Sequence, residues 1–600
     1  MADRIHHDEL ISELLARKPH LRWVFDRYGL RGCGGVSGPP ESIRFFAQTH
    51  GVDENQLLNE LAGASNRPAR PVAAHRVDSA YRLFFAAGAV TALSAGALLG
   101  TWFMFRMGAS GSYFEPGIHR LNAHAFAMIY GFVGAFVIGF GYQALPRFKH
   151  TVVRDPALVP ITFALLVGGV TLRFFGQFFA HDESFTSVVY NPYGAGLAVA
   201  GTVLTFGAFL LFGIELLRTY RSSGKKIEEY DRWVFASLFW FVVSLALSGV
   251  YYLVLLQARD FSGLVLRVST LQDALRNVQL FGAVSMVVLG VMQRFLPPVL
   301  GFRAPSERLF RRLFWLVNGG LLLMVISFPV SMAIQHGWIE AEAAMPIFRG
   351  VYYLGALLLA GGLIGAIASF APWRRTTTSD RSTKFVRAAS FWLLVALVML
   401  LLEPVYIIGV LRTFGHGYHG GMRHALTLGF VVMMIVAVSV KVVPTLNGAD
   451  PARLGRLVPL FVLLNLAIAG RVACEIAGDF TTDALKFLAP TGAALLVALA
   501  LWAGHLVKVV VATPDIGTPE PIREAEPDSK VGAIVEQHPA TLEVFIRHGF
   551  ALLSNPVARR TIARKVSLEQ VCRMHGKDLG SLIADLNEAI GRGHQKRETT

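Results

Sequence analysis

Between Tyr81 and Val511 the chain alternates long apolar runs with short polar connections. Roughly twelve of the runs reach the twenty or so residues that a helix needs to cross about 30 Å of hydrocarbon. Backbone N–H and C=O groups find no water there, so the runs are predicted as helices. On both sides of this region the pattern changes: apolar residues recur at helical spacing among charged ones, which predicts two small soluble helical domains. The expected fold is all-α, a polytopic bundle of about twelve transmembrane helices flanked by those domains. The boundaries read as 1–65 for the first soluble domain, 66–79 for a linker, 80–513 for the membrane region, 514–526 for a second linker and 527–592 for the last domain. Composition fits this division, with 53% hydrophobic and only 16% charged residues and a mean hydropathy of +0.48, outside the range of soluble domains.

Charge sharpens the topology. Connections after even-numbered spans are basic, as in "RTYRSSGKKIEEYDR" and "PWRRTTTSDRSTKFVR", whereas odd ones such as "AHDESFTSVVYNP" and "QHGWIEAEAAMP" are neutral to acidic. That alternation follows the positive-inside rule and puts both termini in the cytoplasm of a multi-pass inner-membrane protein. The net charge of +15 then reads as orientation and contact with anionic lipid, and nucleic-acid binding is not expected. The segment before Tyr81 is too polar for a signal peptide. Three scattered cysteines, Cys33, Cys474 and Cys572, make no disulfide framework, consistent with reducing surroundings at both ends.

Three stretches in the membrane region echo one another: "HRLNAHAFAMIYGFVGAFVIGFGYQALPRF" from His119, "LQDALRNVQLFGAVSMVVLGVMQRFLP" from Leu271 and "HGGMRHALTLGFVVMMIVAVSVKVVP" from His419. Each leads with two positions five residues apart, His119 and His124, Leu271 and Arg276, His419 and His424, and closes on Pro146, Pro297 or Pro444. A period of about 150 residues is four spans, so the second, sixth and tenth helices should be equivalent in three four-helix pseudo-repeats. Five residues turn a helix by roughly 140°, so the two members of a pair face different surroundings. The deeper pair, His124 and His424, is the expected site: ionisable groups inside a membrane are usually functional, and two neutral imidazoles can hold a heme iron from both sides. His119 and His419 are expected near the outer interface.

The soluble ends repeat too. "ELLARKPHLRWVFDRYGLRGCGG" and "AIVEQHPATLEVFIRHGFALLSN" share Pro19 with Pro539, Phe25 with Phe545 and Gly29 with Gly549, and further on Ser42 aligns with Ser567 and Leu61 with Leu586. These are two copies of one helical domain. Only the first keeps a thiol at its turn, Cys33; Leu553 stands at the corresponding place in the second.

"HAFAMIYGF" at His124 and "HALTLGF" at His424 resemble motifs of the NnrS family, polytopic heme- and copper-containing membrane proteins associated with nitric-oxide stress, and more distantly heme-copper oxidase subunit I. Phe126 and Ala127 replace the second histidine and the glutamate of the first NnrS motif. Both soluble copies resemble a short helical domain of unknown function and the N-terminal domain of ScdA-type iron-sulfur repair proteins, where "GLRGCGG" matches a cysteine-bearing turn. The resemblances imply a heme protein of the bacterial inner membrane engaged in nitrosative-stress response or nitrogen-oxide respiration, with nitric oxide as the substrate of any oxidoreductase activity, a cytoplasmic redox partner and a redox thiol at Cys33. In this setting Arg173, Arg471, Arg120, Arg423 and Arg276 are candidates to hold heme propionates, and pairing of the arginines with Glu403, Glu475 or Asp479 is the structural alternative. Glu403 reads as a proton-handling group or a countercharge. Copper is a family implication whose clustered candidates are His119, His416 and His419. No histidine lies between His181 and His336, so the copper-site histidines of oxygen-reducing oxidases are absent from the sixth and seventh spans. A heme-free transporter or scaffold, and a divergent oxidase-like or nitric-oxide-reductase-like subunit, are the remaining readings.

Overall fold

Among the residues described by the computed structural model, twelve helices are long and apolar enough to cross a membrane. Those residues are 5–18, 21–28, 41–50, 52–63, 80–149, 151–183, 187–377, 380–447, 454–511, 522, 524–538, 540–550, 553 and 566–598. The spans, numbered 1 to 12, are Ala80–Ser110, Ile118–Phe148, Leu158–Phe179, Pro192–Ser222, Glu229–Leu255, Phe261–Leu300, Glu307–Gln335, Glu342–Ser369, Thr383–Leu411, His416–Leu446, Val458–Gly478 and Thr482–Val511. Spans 2, 6 and 10 are the most buried, and the others pack around them. Cys33 lies outside the described residues.

The three central helices share a departure from α geometry that hydropathy does not reveal. Each carries a π-helical stretch just after its deeper polar position: Ala127–Val133 after His124, Val278–Ser285 after Arg276 and Ala425–Val432 after His424. Such stretches shift the hydrogen-bond register and commonly mark functional positions. Each helix also ends within a turn of its proline, which has no N–H to give the ladder.

Further contacts repeat with the same period. Trp240 of span 5 packs on Gly282 of span 6 and donates to Asn318 of span 7 at 2.9 Å, while Trp392 of span 9 packs on Gly429 of span 10 and donates to Asn465 of span 11 at 3.1 Å. In the first unit Thr91 and Val170 face Gly131. Spans 3 and 4 meet backbone to backbone, because a Cβ on Gly201 would lie 2.3 Å from the Arg173 nitrogen; spans 7 and 8 do the same at Gly320 and Gly355. Small residues allow such approach where lipid supplies no hydrophobic drive between helices.

The two soluble domains have matching cores. In the first, Leu14, Val24, Phe25, Phe46 and Leu57 are fully buried, and in the second Ile534, Phe545, Leu568, Leu582 and Leu586. Each ties its first helix to its third through one isolated antiparallel bridge, Leu10 with Ser42 and Lys530 with Ser567. Both serines also accept a backbone N–H of the following helix, from Phe45 at 3.2 Å and from Gln570 at 3.2 Å, as N-capping residues do.

The close crossing of spans 3 and 4 yields a test. Gly201→Leu is expected to destabilise the protein by about 1–3 kcal/mol, the usual cost of overpacking, seen as a lower thermal unfolding midpoint. Gly196→Ala, at a position with nothing within 4 Å, leaves the midpoint unchanged.

Candidate functional site

Spans 1, 2, 6, 10, 11 and 12 surround a cavity of about 330 Å³, partly open to the outside. The deeper members of the three pairs, His124, Arg276 and His424, all line it, joined by Arg423 and Arg471. The rest of the wall is mainly apolar, from Met128 and Phe132 on span 2 to Leu280 and Val284 on span 6 and Leu428 and Val431 on span 10.

Each cavity histidine is anchored through the same ring nitrogen. His124 Nδ1 lies 2.7 Å from the Ala95 carbonyl, within the π-helical stretch Ala92–Leu98 of span 1. A carbonyl only accepts, so Nδ1 carries the proton and Nε2 of the neutral ring keeps its lone pair. His424 Nδ1 lies 2.9 Å from Glu475 Oε2, whose other oxygen accepts from Arg471 Nε at 2.7 Å. Arg471 Nη2 approaches His424 Nε2 at 3.4 Å, so there too Nε2 is the acceptor. Glycine makes this approach of spans 10 and 11 feasible: a Cβ on Gly417 would fall 1.8 Å from the Glu475 carbonyl oxygen.

The arginines differ in their partners. Arg471 pairs with Glu475, and Arg423 pairs with Asp273 of span 6. Arg276 instead donates to two neutral amides, Gln279 and Asn122, each at 2.7 Å. The cavity wall therefore carries three guanidinium groups, of which two have a bonded carboxylate behind them.

The first members of the pairs occupy other surroundings. His119, at the start of span 2, is fully buried, because the hairpin formed by His181–Glu183 and Val188–Tyr190 folds over it. Its ring stacks on His181 with centroids 3.7 Å apart. Glu183 of that hairpin accepts from the Ile118 and His119 N–H groups, both at 2.7 Å. Asp479 caps span 10 in the same way through Gly417 and Tyr418, at 2.7 and 2.8 Å. Arg173, which resembles Arg471 by position in the sequence, does not line the cavity; its guanidinium lies 3.9 Å from the Tyr252 ring centroid and 5.3 Å from that of Phe126. Arg120 also lies off the cavity wall, 5.8 Å from the Phe178 ring. His419 bridges two carboxylates, Glu403 at 2.6 Å and Asp273 at 3.1 Å, so Glu403 is a partner of histidine and not of an arginine. His416 sits among the rings of Phe114 and Phe414. His119 is thus separate from His416 and His419, and among the described residues no group of three or more His, Cys, Asp or Glu side chains is placed to hold a metal ion.

The profile of a family described as NnrS protein matches residues 77–513, which enclose all twelve spans. The chain belongs to the NnrS family. Residues 526–583 match a domain of unknown function, DUF1858, over most of the second soluble domain. No curated protein matches the chain.

The sequence already offers Glu475 as a candidate partner of the arginines, whereas its pattern does not single out Asp273 or the Ala95 carbonyl. Glu475 follows Arg471 by four positions, a spacing that signals a helical ion pair. Asp273 was visible as an acid within the span 6 repeat. The Ala95 carbonyl left no signal, since nothing in side-chain pattern reports a π-helical register.

Two outcomes are expected. Glu475→Ala removes the countercharge of Arg471 and the anchor of His424, and should cost about 3–5 kcal/mol in thermal or denaturant unfolding, with Glu475→Gln milder. Burial holds His181 at about 4, below the ordinary histidine value of about 6.5, so on acidification the unfolded chain takes up the proton first. Stability is then fully present above about pH 6.5 and declines toward pH 4, by up to about 1.4 kcal/mol per pH unit; His181→Phe, measured across that range, should flatten the decline.

Proposed function

We propose that this NnrS-family protein is a heme-binding protein of the bacterial cytoplasmic membrane, in which His124 and His424 would hold the heme, serving the response to nitric oxide or nitrogen-oxide respiration. The observation that carries this reading is the shared anchoring of the two histidines: both line one cavity, both commit Nδ1 to a protein acceptor, and both keep Nε2 unprotonated, with that of His424 accepting from Arg471 at 3.4 Å. Metal-binding histidines are held in the same manner, by a carbonyl or carboxylate on the other nitrogen. Copper fits less well, because its candidate histidines are dispersed and no third ligand joins them among the described residues.

Within this reading the chain's groups have distinct tasks. The Ala95 carbonyl fixes the tautomer and ring orientation of His124. The Glu475 carboxylate does so for His424. Arg276, Arg423 and Arg471 offer planar donor forks suited to the propionates. The apolar wall limits water around the ligand nitrogens. A heme bound there supplies one-electron chemistry and affinity for diatomic gases.

The orientation rests on the loops. Twelve spans return both soluble domains to one side, the side of the basic connections after even spans, and that is the cytoplasmic side by the positive-inside rule. There the soluble domains are available to a redox partner.

Purified protein made with sufficient heme should show a Soret band and the reduced spectrum of a six-coordinate bis-histidine iron. His124→Ala and His424→Ala should each abolish or greatly change that spectrum. A folded, colourless protein would refute the assignment.

A further inference from the structure

A second cavity, of about 90 Å³, follows the first along the same three helices. On span 2 the lining passes from Phe132 and Val133 in the first cavity to Phe136 and Val137 in the second. On span 6 it passes from Val284 to Val287 and Val288, and on span 10 from Val431 and Val432 to Met434 and Ile435. In all three cases the step is within about one helical turn, some 5 Å of rise. The two spaces are therefore consecutive chambers along the axis of the three repeats, parted by a single layer of side chains.

The chemistry of the second chamber is narrower than that of the first. Among its described lining residues Ser439 is the one polar side chain, and its hydroxyl is committed: it accepts from Trp502 Nε1 at 2.9 Å and donates to the Val436 carbonyl at 3.1 Å. No side chain of its described lining is left to orient a charged or hydrogen-bonding ligand; enclosed apolar cavities stay dry while binding xenon or benzene, and this one, equally apolar, is partly open to the outside. Aromatic rings crowd the partition: Trp502 packs 6.2 Å from Phe132 and 5.5 Å from Phe136.

We propose that this chamber is an antechamber for an uncharged diatomic gas, which collects there from the apolar surroundings and passes the partition into the first cavity, where binding to a heme held by His124 and His424 would require one of the two histidines to leave the iron. The affinity for an apolar gas follows from the chamber itself; the naming of nitric oxide as that gas rests on the function proposed above. A gas of this class gains nothing from a polar route, and its concentration is raised wherever water is excluded.

Xenon is the probe. Full-length protein equilibrated with xenon should bind it saturably, with the site located in the second chamber by crystallography under pressure. Val288→Phe on span 6 and Leu238→Phe on span 5, which also lines the chamber, should each fill the space and remove that site. In the heme-loaded protein both variants should slow nitric-oxide binding by roughly tenfold in stopped-flow absorbance at low gas concentration, where departure of one histidine from the iron does not limit the rate, while leaving the Soret band of the gas-free protein in place, a change of about 1.4 kcal/mol in barrier. Absence of xenon from the chamber overturns the proposal, as does an acyl or isoprenoid chain found there by mass spectrometry. Unchanged binding rates in variants that have lost xenon overturn the passage. A protein without heme refutes the preceding section but leaves the xenon test of the chamber intact.

Discussion

An imidazole buried in hydrocarbon can offer a lone pair on one nitrogen only if the protein satisfies the other. That requirement organises the centre of this bundle. The π-helical stretch of span 1 brings the Ala95 carbonyl to His124, and the close approach of spans 10 and 11 at Gly417 brings Glu475 to His424. Glu475 in turn needs Arg471, since a carboxylate without a countercharge would itself be costly among apolar side chains. The two histidines are thus the visible ends of networks that reach into neighbouring spans.

The threefold repeat explains how such networks arise and diverge. Units one and three keep histidine at the deeper position and cap the start of their central helix with a carboxylate from beyond the next span, Glu183 or Asp479. The middle unit has Arg276 instead, bound to neutral amides. Span 11 has Arg471 with Glu475 four residues on, and span 3 has Arg173 with Gln177 in the same relation. The amide cannot serve as countercharge. It contacts His119 at 3.5 Å, and Arg173 turns to the aromatic faces of Tyr252 and Phe126.

This comparison shows what was legible in the chain alone. Span number, helical class and the four-span period follow from the spacing of apolar and polar residues, because burial against lipid imposes that spacing directly. The rotation of a helix by five residues likewise separates His119 from His124. What a pattern cannot carry is which neighbour a side chain meets. Arg173 and Arg471 look equivalent along the chain, yet the cavity includes one and not the other. The burial of His119 depended on a hairpin of six described residues, and the anchoring of His124 on a backbone carbonyl whose position no side chain encodes.

The neutral partners of Arg276 have a consequence for charge. Two of the three guanidinium groups on the cavity wall are balanced by a bonded carboxylate, and the third is not. The cavity thus begins with one positive charge lacking a bonded countercharge, in a medium that screens it poorly. Such a wall favours the arrival of a single negative charge, whether an electron or an anion, and lowers the need for a proton to follow it. Where the first and third repeats carry a histidine, the middle one thus carries a permanently charged guanidinium, a fixed electrostatic bias on the wall.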